Sequence, residues 1–405
     1  RSVSQYHRDV SDDTKQYLLG TLHICSSFGA YSIRATKKHI EMNENFQLLV
    51  SIVINNYNYG QFLPQAIDSS LSQTYPNTEV IVVDDESTDN SQEIITSYGD
   101  QIIPILKKNG GQASALNAGF YVSRGEIVIF LDADDYLFPN AVSEVVAVWK
   151  PGVVQVQYRL ELVNALSEFI GIHPAPDIKF DSGTVWPILL EKGKYSSTVT
   201  SGNSFARSAL AQIFPIPESD FTIAADGYLV TLNPFYGQVV SIEKPLGAYR
   251  QHGNNLWAFS KGTIPIERFR RSINHDFIKY NYLVRKATEL GYQVCPDLNF
   301  RDPNHLIHRI ASLRLDPHHH PFASDSPLVL AYKGYWSIWK YSKFNWKKKL
   351  LWSHWFLWVG IMPYSMVKSV IYWPLSSASR PTIILWLVKI IRIVRRLLTY
   401  KQLTS

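Results

Sequence analysis

Residues 48–131 alternate between short apolar runs, rich in valine and isoleucine, and stretches with helical spacing. The apolar runs are Leu49–Ile54, Val80–Val83, Ile102–Leu106 and Ile127–Leu131. Runs of this length and composition are typical of buried strands in parallel sheets. Between them, apolar residues recur every three or four positions, as they do in amphipathic helices. This alternation predicts right-handed βαβ units, and therefore an α/β, Rossmann-like fold with a mainly parallel sheet and flanking helices.

Acidic residues cluster where two of the predicted strands end. One strand leads into Asp84 and Asp85, and another into Asp132, Asp134 and Asp135. Because ligands of such sheets bind beyond the carboxyl ends of the strands, we expect both groups at one ligand-binding edge. Carboxylates held close together repel one another, and a divalent cation such as Mg²⁺ or Mn²⁺ would relieve that repulsion. The alternative is that these acids cap the helices that follow.

A glycine pair, Gly110 and Gly111, lies between the two acidic groups and directly before a predicted helix. Glycines at such a position let the backbone approach a ligand, and a helix N-terminus attracts anions. The sequence contains neither GxGxxG nor GxxxxGK[ST], which disfavours a nicotinamide cofactor and a P-loop nucleotide site.

Taken in order, these motifs resemble those of family 2 glycosyltransferases of the GT-A fold. Three segments carry the resemblance within about residues 48–150: LVSIVINNYNYGQFLPQAIDSSLSQTYPNTEVIVVDDESTDNS, NGGQASALNAG and GEIVIFLDADD. It continues more weakly through TSGNSFARSAL, AADGYLV and LGAYRQHGNN. It implies an inverting enzyme that takes a sugar from a nucleotide-sugar, typically of the UDP type. One departure is Glu86, where the family usually has glycine.

The resemblance also assigns the residues that bind the donor. It implies that Asn55 and Tyr57 line the nucleoside pocket and that Asp85 hydrogen-bonds the base, with Asp84 beside it. The implied nucleotide-sugar-binding residues are Asn55, Tyr57, Asp84, Asp85, Gly111 and Asp132.

A divalent metal, Mn²⁺ or Mg²⁺, is implied by the family's DxD motif, which corresponds to Asp132 and Asp134. Asp134 would ligate the metal on the donor diphosphate, and Asp132 would contact the ribose or the metal. His252 corresponds to a late histidine that completes the metal site in many GT-A enzymes. The alternative for His252 is a surface residue in a loop.

The resemblance places the chemistry of the acceptor further along the chain. Asp226 corresponds to the family's general base, which accepts the proton of the attacking hydroxyl. The family often has Glu-Asp at this point, whereas Ala225 precedes the aspartate here. The alternative for Asp226 is an ordinary helix N-cap. Ser201, Gly202 and Asn203 correspond to a segment that flanks the acceptor pocket, with a simple turn as the alternative for the glycine.

The last 80 residues differ from the rest in charge and aromatic content. Residues 326–405 contain 13 lysines and arginines, no acidic residue and eight of the 11 tryptophans, whereas residues 1–325 carry a net charge of −7. Tryptophan interleaved with basic residues is typical of a membrane–water interface. This composition predicts membrane-associating helices that meet an anionic lipid surface. The alternatives are binding to nucleic acid, which the interleaved aliphatic residues disfavour, and packing on the protein's own core.

The way in which this tail would meet the membrane is left open by its sequence. The uncharged run Leu350–Val367 has 18 residues, the lower limit for a membrane span. We therefore expect peripheral attachment, with integral insertion through residues 350–374 as the alternative. Beyond Pro381, apolar residues share one side of a predicted basic amphipathic helix that ends near Leu398.

The expected organisation has four parts. They are an N-terminal extension (1–44), a GT-A domain (45–260), a helical or linker region (261–325) and the tail (326–405). Residue 1 is arginine and the first methionine is Met42, so we expect either a natural start at Met42 or a loosely attached extension. The histidine-containing stretch 301–325 is expected to be a polar linker, with a metal site as the alternative that the lack of cysteine and clustered carboxylates disfavours.

Composition bounds the remaining possibilities. The chain is 46% hydrophobic and 18% charged, which excludes a disordered protein. Its two cysteines, Cys25 and Cys295, form no disulfide framework, which favours a reducing compartment. Together with the tail, this predicts a location on the cytoplasmic face of a membrane.

Two other functions compete with sugar transfer to a glycan or lipid-linked acceptor. A sugar nucleotidyltransferase also uses acids and a metal on such a sheet, but the loop NNYNYG lacks the basic residues expected after its first strand. A non-catalytic nucleotide-binding scaffold would not need to keep Asp85, Asp132, Asp134 and Asp226 together.

Overall fold

The structure is a computed structural model that describes residues 47–253, 255 and 264–375. These residues form an α/β fold around one nine-stranded sheet. The expected N-terminal extension and the amphipathic segment that ends near residue 398 lie outside the described residues.

The bounds of the elements follow the chain. The strands are β1 (Val50–Asn56), β2 (Thr78–Asp85), β3 (Ile103–Lys107), β4 (Ile127–Asp132), β5 (Tyr136–Leu137), β6 (Val153–Asn164), β7 (Phe169–His173), β8 (Asn203–Ala206) and β9 (Gln238–Gln251). The earlier helices are α1 (Leu63–Leu71), α2 (Ser91–Ser97), α3 (Gln112–Val122), α4 (Ala141–Val148), α5 (Trp186–Lys192), α6 (Arg207–Leu210) and α7 (Asp226–Leu232). The later helices are α8 (Ile266–Glu289), α9 (Pro303–Leu315), α10 (Pro327–Tyr341), α11 (Trp346–Ile361) and α12 (Tyr364–Leu375).

One half of the sheet has the predicted βαβ architecture. Its strands lie in the order β3-β2-β1-β4 and are all parallel, with α1, α2 and α3 as connections. Residues on both faces are buried: Ile52 and Ile54 contribute to one hydrophobic cluster and Val53 to the other. The four predicted strands and the three helices between them are confirmed, because apolar runs buried on both faces give an unambiguous local signal.

The other half of the sheet is mixed, so the prediction of a mainly parallel sheet is wrong. β8 is antiparallel to both β4 and β6, β6 is parallel to β9, and β5 and β7 add antiparallel edges. β6 alternates apolar residues with Gln155, Gln157 and Arg159, a pattern typical of a half-exposed strand. All three polar side chains are nevertheless buried. Their partners come from distant segments, such as Asn203 for Gln155, which local periodicity does not report.

Helices α8 to α12 pack around one apolar cluster that includes Phe269, Ile310, Leu330 and Trp355. The first part of the histidine-containing stretch is therefore a largely buried helix, α9, and not a polar linker, whereas residues 316–325 form a largely exposed connection to α10. The inner faces of the expected tail pack on the protein's own core, and Lys343 and Lys348 form ion pairs with Asp181 and Asp177.

The long apolar run of the tail is divided between two helices. α11 ends at Ile361 and α12 begins at Tyr364, after Pro363. Within the residues that the structure describes, no helix combines the length and the apolar composition that crossing a bilayer requires.

Candidate active site

A cavity of about 990 Å³ lies at the carboxyl ends of the parallel strands. Eight of the residues singled out from the sequence line it: Asn55, Tyr57, Asp85, Gly110, Gly111, Asp132, Asp134 and Asp226. They come from separate strand ends, from the glycine loop and from the start of α7, so the fold gathers them at one place. Residues of α8 and α9 form another part of the wall.

The register of the parallel strands explains how one strand supports two acidic groups. In β1, Asn55 is level with Asp132 of β4, and Asn56 is level with Asp84 of β2. The Nδ2 of Asn55 donates to Asp132 at 3.1 Å, and the Nδ2 of Asn56 donates to Asp84 at 2.8 Å. Because successive strand residues point to opposite faces, the two asparagines serve two different carboxylates.

Asp84 and Asp85 are adjacent in sequence but have different surroundings and different structural roles. Asp84 is fully buried, accepts from the backbone N–H of Ser87 at 3.0 Å, and does not line the cavity. It therefore stabilises the turn after β2 and does not cap the next helix, since α2 begins at Ser91 with Asn90 at its N-cap position. Asp85 lines the cavity and forms an ion pair with Lys107 at 2.7 Å. It also accepts from the N–H of Gly111 at 2.7 Å, so it organises the glycine loop.

The glycine loop has a conformation that only glycine adopts without strain at its second position. Gly111 has φ of +82°, and a Cβ placed there would lie 2.6 Å from the carbonyl oxygen of Thr222. The next residue, Gln112, donates its N–H to that same oxygen at 2.8 Å. The loop is therefore attached directly to the segment that leads into α7.

Glu86 departs from the family pattern in residue type but not in backbone conformation. Its φ of +65° lies in the left-handed region that glycine adopts most easily. Its carboxylate accepts from the backbone N–H of Asn109 at 3.1 Å. The turn is thus kept, and the glutamate adds a bond to the glycine loop.

Asp132 occupies the centre of the cavity's acidic group. Burial and the charges of Asp134 and Asp226 raise the pKa of Asp132 to about 7. Its Oδ1 also accepts from the Nε2 of Gln112 at 2.9 Å, and the Oε1 of Gln112 accepts from the backbone N–H of Ala225. Gln112 therefore links the acidic strand end to the start of α7. This role was not predicted from the sequence, where only the place of Gln112 after the glycine pair pointed to it.

Asp134 is held by residues from the far end of the domain. Its Oδ2 lies 3.0 Å from the Nε2 of His252 and accepts from the Nδ2 of Asn255 at 3.1 Å. The imidazole packs against the rings of Tyr59 and Phe62, with centroids 5.4 and 4.8 Å away. His252 is therefore a buried partner of Asp134 and not a surface residue.

Asp135, which had no predicted role, supports the acidic loop from behind. It accepts from the Oγ of Ser201 at 2.6 Å and from the backbone N–H of Arg250 at 2.9 Å. Burial and the charges of Asp134 and Asp132 hold its pKa well above the usual range. Since Ser201 also accepts from the backbone N–H of Asp132, this serine ties both ends of the loop together.

The three residues predicted to flank an acceptor pocket lie behind the cavity. Ser201, Gly202 and Asn203 are all buried, and none of them lines the cavity. The preceding residues, Val199 and Thr200, do line it. An acceptor role for the three residues stays a prediction, and any such role would act through their neighbours.

Asp226 is the first residue of α7, and Ala225 occupies the N-cap position. Burial raises the pKa of Asp226, and the ammonium group of Lys279 opposes that rise. The next residue packs tightly on α8: a Cβ at Gly227 would lie 2.6 Å from the Nε2 of His275. The position of Asp226 is thus fixed by contact between α7 and α8.

The wall formed by α8 and α9 is polar. Lys279 pairs with Asp276 at 2.9 Å, and Lys194 pairs with the buried Asp302 at 2.5 Å. Burial lowers the pKa of His308 to about 4, so its imidazole is neutral at physiological pH. The sequence did not predict that this wall belongs to the site. The histidines of 301–325, of which His308 lines the cavity, were the feature of the sequence that could have indicated it.

The donor set suits a metal that is shared with a ligand. In the described part of the chain, no group of three or more histidine, cysteine, aspartate or glutamate side chains could hold a metal by itself. Mg²⁺ on a nucleotide, however, takes only one or two protein carboxylates and completes its shell with phosphate oxygens and water. Asp132 and Asp134 supply that number. Burial and the charges of Asp134 and Asp226 raise the pKa of Asp132, and a cation would relieve the repulsion between these carboxylates.

Comparisons with known proteins also match this chain to glycosyltransferases. The family model described as "Glycosyl transferase family 2" matches residues 51–188. An uncharacterised glycosyltransferase of Nostoc sp. is 34% identical over 250 residues, which are 58% of this chain and 78% of the relative. The Escherichia coli protein WfaP, named UDP-Glc:alpha-D-GlcNAc-diphosphoundecaprenol beta-1,3-glucosyltransferase, is 40% identical over 97 residues, which are 24% of this chain and 39% of WfaP.

Among solved structures, a crystal structure of Staphylococcus aureus TarS, residues 1–349, in complex with UDP-GlcNAc is similar to this chain. The match has 15% sequence identity and a TM-score of 0.47, and it covers 80% of this chain and 91% of the TarS chain.

Proposed function

Since the chain belongs to glycosyltransferase family 2, we propose that it transfers a sugar, with inversion, from a UDP-type nucleotide-sugar to a glycan or lipid-linked acceptor. One observation carries the proposal: Asp85, Asp132, Asp134 and Asp226 line the same cavity although they come from three separate segments of the sequence. A site with separate places for a nucleotide, a diphosphate and a general base is what this reaction requires.

The nucleoside end of the donor binds at the ends of β1 and β2. Tyr57, which is 48% exposed, offers a ring to the base or ribose. The Oδ1 of Asn55 is buried and has no hydrogen-bond partner among the described residues. A buried oxygen without a donor is costly, so a hydroxyl or N–H group of the nucleoside would satisfy it.

Asp134 and Asp132 would hold a divalent metal, with His252 either as a further ligand or as the group that orients Asp134. When bound, the metal neutralises the negative charge that develops on the departing diphosphate. Other residues of the chain hold the two carboxylates of this site in position. Asn255 and His252 hold the Asp134 carboxylate, and Gln112 holds that of Asp132.

Asp226 acts as the general base. The acceptor hydroxyl attacks the anomeric carbon from the face opposite the diphosphate, the new C–O bond forms as the bond to the diphosphate breaks, and the hydroxyl proton passes to the Asp226 carboxylate. A base must be ionised before it reacts. The charge of Lys279 favours that state against the effect of burial.

The wall of α8 and α9 receives the acceptor, because α8 packs directly beside Asp226: a Cβ at Gly227 would lie 2.6 Å from the Nε2 of His275. Lysine, aspartate and neutral histidine side chains there can hydrogen-bond sugar hydroxyls. WfaP acts, by its name, on a sugar linked to diphosphoundecaprenol, which supports a lipid-linked acceptor and a role in cell-envelope polysaccharide synthesis.

Membership of the family favours sugar transfer over the sugar nucleotidyltransferase alternative. The intact set of carboxylates disfavours a non-catalytic scaffold.

The experiment that tests the proposal is a screen of nucleotide-sugars for Mn²⁺-dependent binding and hydrolysis, with Asp226→Asn as the matched variant. We expect one donor, with a uridine base, to bind both proteins and to be turned over by the wild type alone. A protein that binds no nucleotide-sugar, or that forms UTP from UDP-sugar and pyrophosphate, would contradict the proposal.

A further inference from the structure

The outer surface of α10, α11 and the start of α12 is unusually apolar. Thirteen of the 24 large apolar side chains that are exposed in the described residues belong to positions 328–366. They include Trp336 (53% exposed), Trp346 (63%), Trp358 (43%) and Ile361 (68%). Exposed apolar groups gathered in this way mark an interaction site and not ordinary surface.

These residues form continuous stripes. Tyr332 and Trp336 are four apart on α10, and Trp346, Leu350, Leu357 and Ile361 recur at helical spacing on α11. Side chains three or four positions apart share one face of a helix. We call the surface formed by the exposed apolar side chains at positions 328–366 the outer helical face.

The outer helical face is not simply the unpacked side of loosely attached helices. On the inner side of α11, Trp355 and Phe356 are fully buried, and the Nε1 of Trp355 donates to the carbonyl oxygen of Val370 at 2.9 Å. A Cβ at Gly334 of α10 would lie 2.2 Å from the ring of Phe356. The helices are closely packed to each other, so the exposed stripes belong to a fixed surface.

The charged side chains of the helices that carry this face are all positive. Residues 326–375 contain seven lysines and no acidic residue. Lys343 and Lys348 pair with aspartates of the preceding domain, whereas Lys340, Lys347 and Lys368 are exposed. A surface of exposed tryptophan, aliphatic side chains and lysine complements the headgroups and acyl boundary of an anionic bilayer.

We propose that the outer helical face docks on an anionic lipid bilayer, with its tryptophan and aliphatic side chains at the headgroup level and its lysines against the lipid phosphates. The docking uses helices that lie on the bilayer and does not require a helix that crosses it.

Two helices, α8 and α9, connect the docking surface to the cavity: α8 contributes Phe269 to the cluster that carries α10 to α12, and its Lys279 lines the cavity. α9 contributes Leu306 and Ile310 to the cluster that carries α10 to α12, and its His308 lines the cavity. A surface that rests on lipid would therefore hold the acceptor wall near the membrane. This consequence rests on the proposed function, whereas the docking itself does not.

The test uses the full chain and vesicles of phosphatidylcholine with and without phosphatidylglycerol, followed by sedimentation at low and high salt. We expect binding to the anionic vesicles that weakens, but does not vanish, as salt rises, because only the lysine contribution is screened. The variant Trp336→Ser/Trp346→Ser/Trp358→Ser should partition at least about tenfold less.

The matched control is Tyr121→Ser/Val122→Ser, which removes two side chains that are 61% and 42% exposed on α3. It should bind vesicles as the wild type does. Circular dichroism and urea unfolding like those of the wild type show that each variant is folded, and donor binding is measured separately, so failure to dock is distinguishable from failure of the proposed function.

Three outcomes would overturn the proposal. The wild type could ignore anionic vesicles at low salt. The triple variant could bind as well as the wild type, which would place any membrane contact outside the outer helical face. The triple variant could instead change from oligomer to monomer with no vesicle binding by either protein, which would make the face a contact between two copies of the chain.

Discussion

The Nε2 of His252 lies 3.0 Å from the Oδ2 of Asp134, although 118 residues separate the two in sequence. The imidazole is fixed on its other side by Tyr59 and Phe62, which follow the first strand. The acidic loop is therefore held by the beginning and the end of the domain at once. This arrangement fits a carboxylate that must be correctly oriented before a metal and a diphosphate arrive.

The first prediction concerns this pair. His252→Gln should weaken Mn²⁺-dependent binding of UDP by about 10- to 100-fold, the usual effect of removing a partner that orients a metal ligand. Asp134→Ala should abolish transfer while the protein stays folded. The measurement is calorimetric titration of UDP with and without Mn²⁺. His319→Gln, at a side chain that is 70% exposed, is the control. Equal Mn²⁺-dependent affinity in His252→Gln would contradict the assignment.

The second prediction concerns the general base. Asp226→Asn is nearly isosteric but accepts protons poorly, so kcat should fall by about two to four powers of ten. The Kd of the donor should change little, because Asp226 acts on the acceptor hydroxyl. Rapid-mix turnover and donor titration on the same preparation separate the two effects. A parallel loss of donor affinity would instead assign Asp226 to the donor site.

The third prediction compares two glycines that both have positive φ. A Cβ at Gly111 would meet the Thr222 carbonyl oxygen at 2.6 Å, whereas a Cβ at Gly99, with φ of +54°, would have no atom within 4 Å. Both alanine variants should lose about 1–2 kcal/mol from backbone strain, and Gly111→Ala a further 1–3 kcal/mol from the clash. Urea unfolding measures the difference in the free energy of unfolding. Similar values for Gly111→Ala and Gly99→Ala would show that the loop moves away from Thr222 without cost.

The fourth prediction concerns the pH dependence of stability through His308. Its pKa is lowered to about 4 in the folded protein by burial, against about 6.5 for an unfolded chain. Between these values the unfolded state binds a proton that the folded state does not. Stability is therefore lost as pH falls below about 6.5, by roughly 2 kcal/mol at pH 5 for this one group.

His308→Gln tests that statement, because glutamine does not titrate. The difference in unfolding free energy between wild type and variant should be constant near pH 7–8 and should move in favour of the variant by about 2 kcal/mol as pH falls to 5. Urea denaturation at several pH values provides the curve. A difference that does not change with pH would show that the imidazole is protonated as easily in the folded protein as in the unfolded chain.

The parts of the fold that were predictable from sequence are those with a local signal. Val53 and its neighbours form a continuous apolar run, so the parallel half of the sheet and the strand-end acids followed from it. β6 gave no such signal, because buried Gln155 and Gln157 depend on partners such as Asn203 and Ser241, far away in the chain.

The same limit applies to the candidate site. Asp134 and Asp226 were predictable because the family's motifs contain them. Gln112 links Asp132 to the start of α7, and Ser201 ties Asp135 to the acidic strand end, only through hydrogen bonds between distant segments. The role of such a glutamine or serine cannot be predicted from the sequence, because its hydrogen bonds form only when folding brings distant segments together.

The two ends of the cavity are encoded in separate stretches of the gene. Asn55, Asp85 and Asp132 precede residue 136, whereas the proposed acceptor wall, which includes Lys279 and His308, follows residue 264. Recombination with a related gene at the junction between them would leave the recognition of the nucleotide intact and replace the recognition of what is glycosylated. A chimaera whose segment from residue 264 onward comes from a family member with another acceptor is thus expected to keep its donor while it acquires that acceptor. Diversity in the products of such enzymes can then arise from exchange of whole segments, without stepwise change around Asp134.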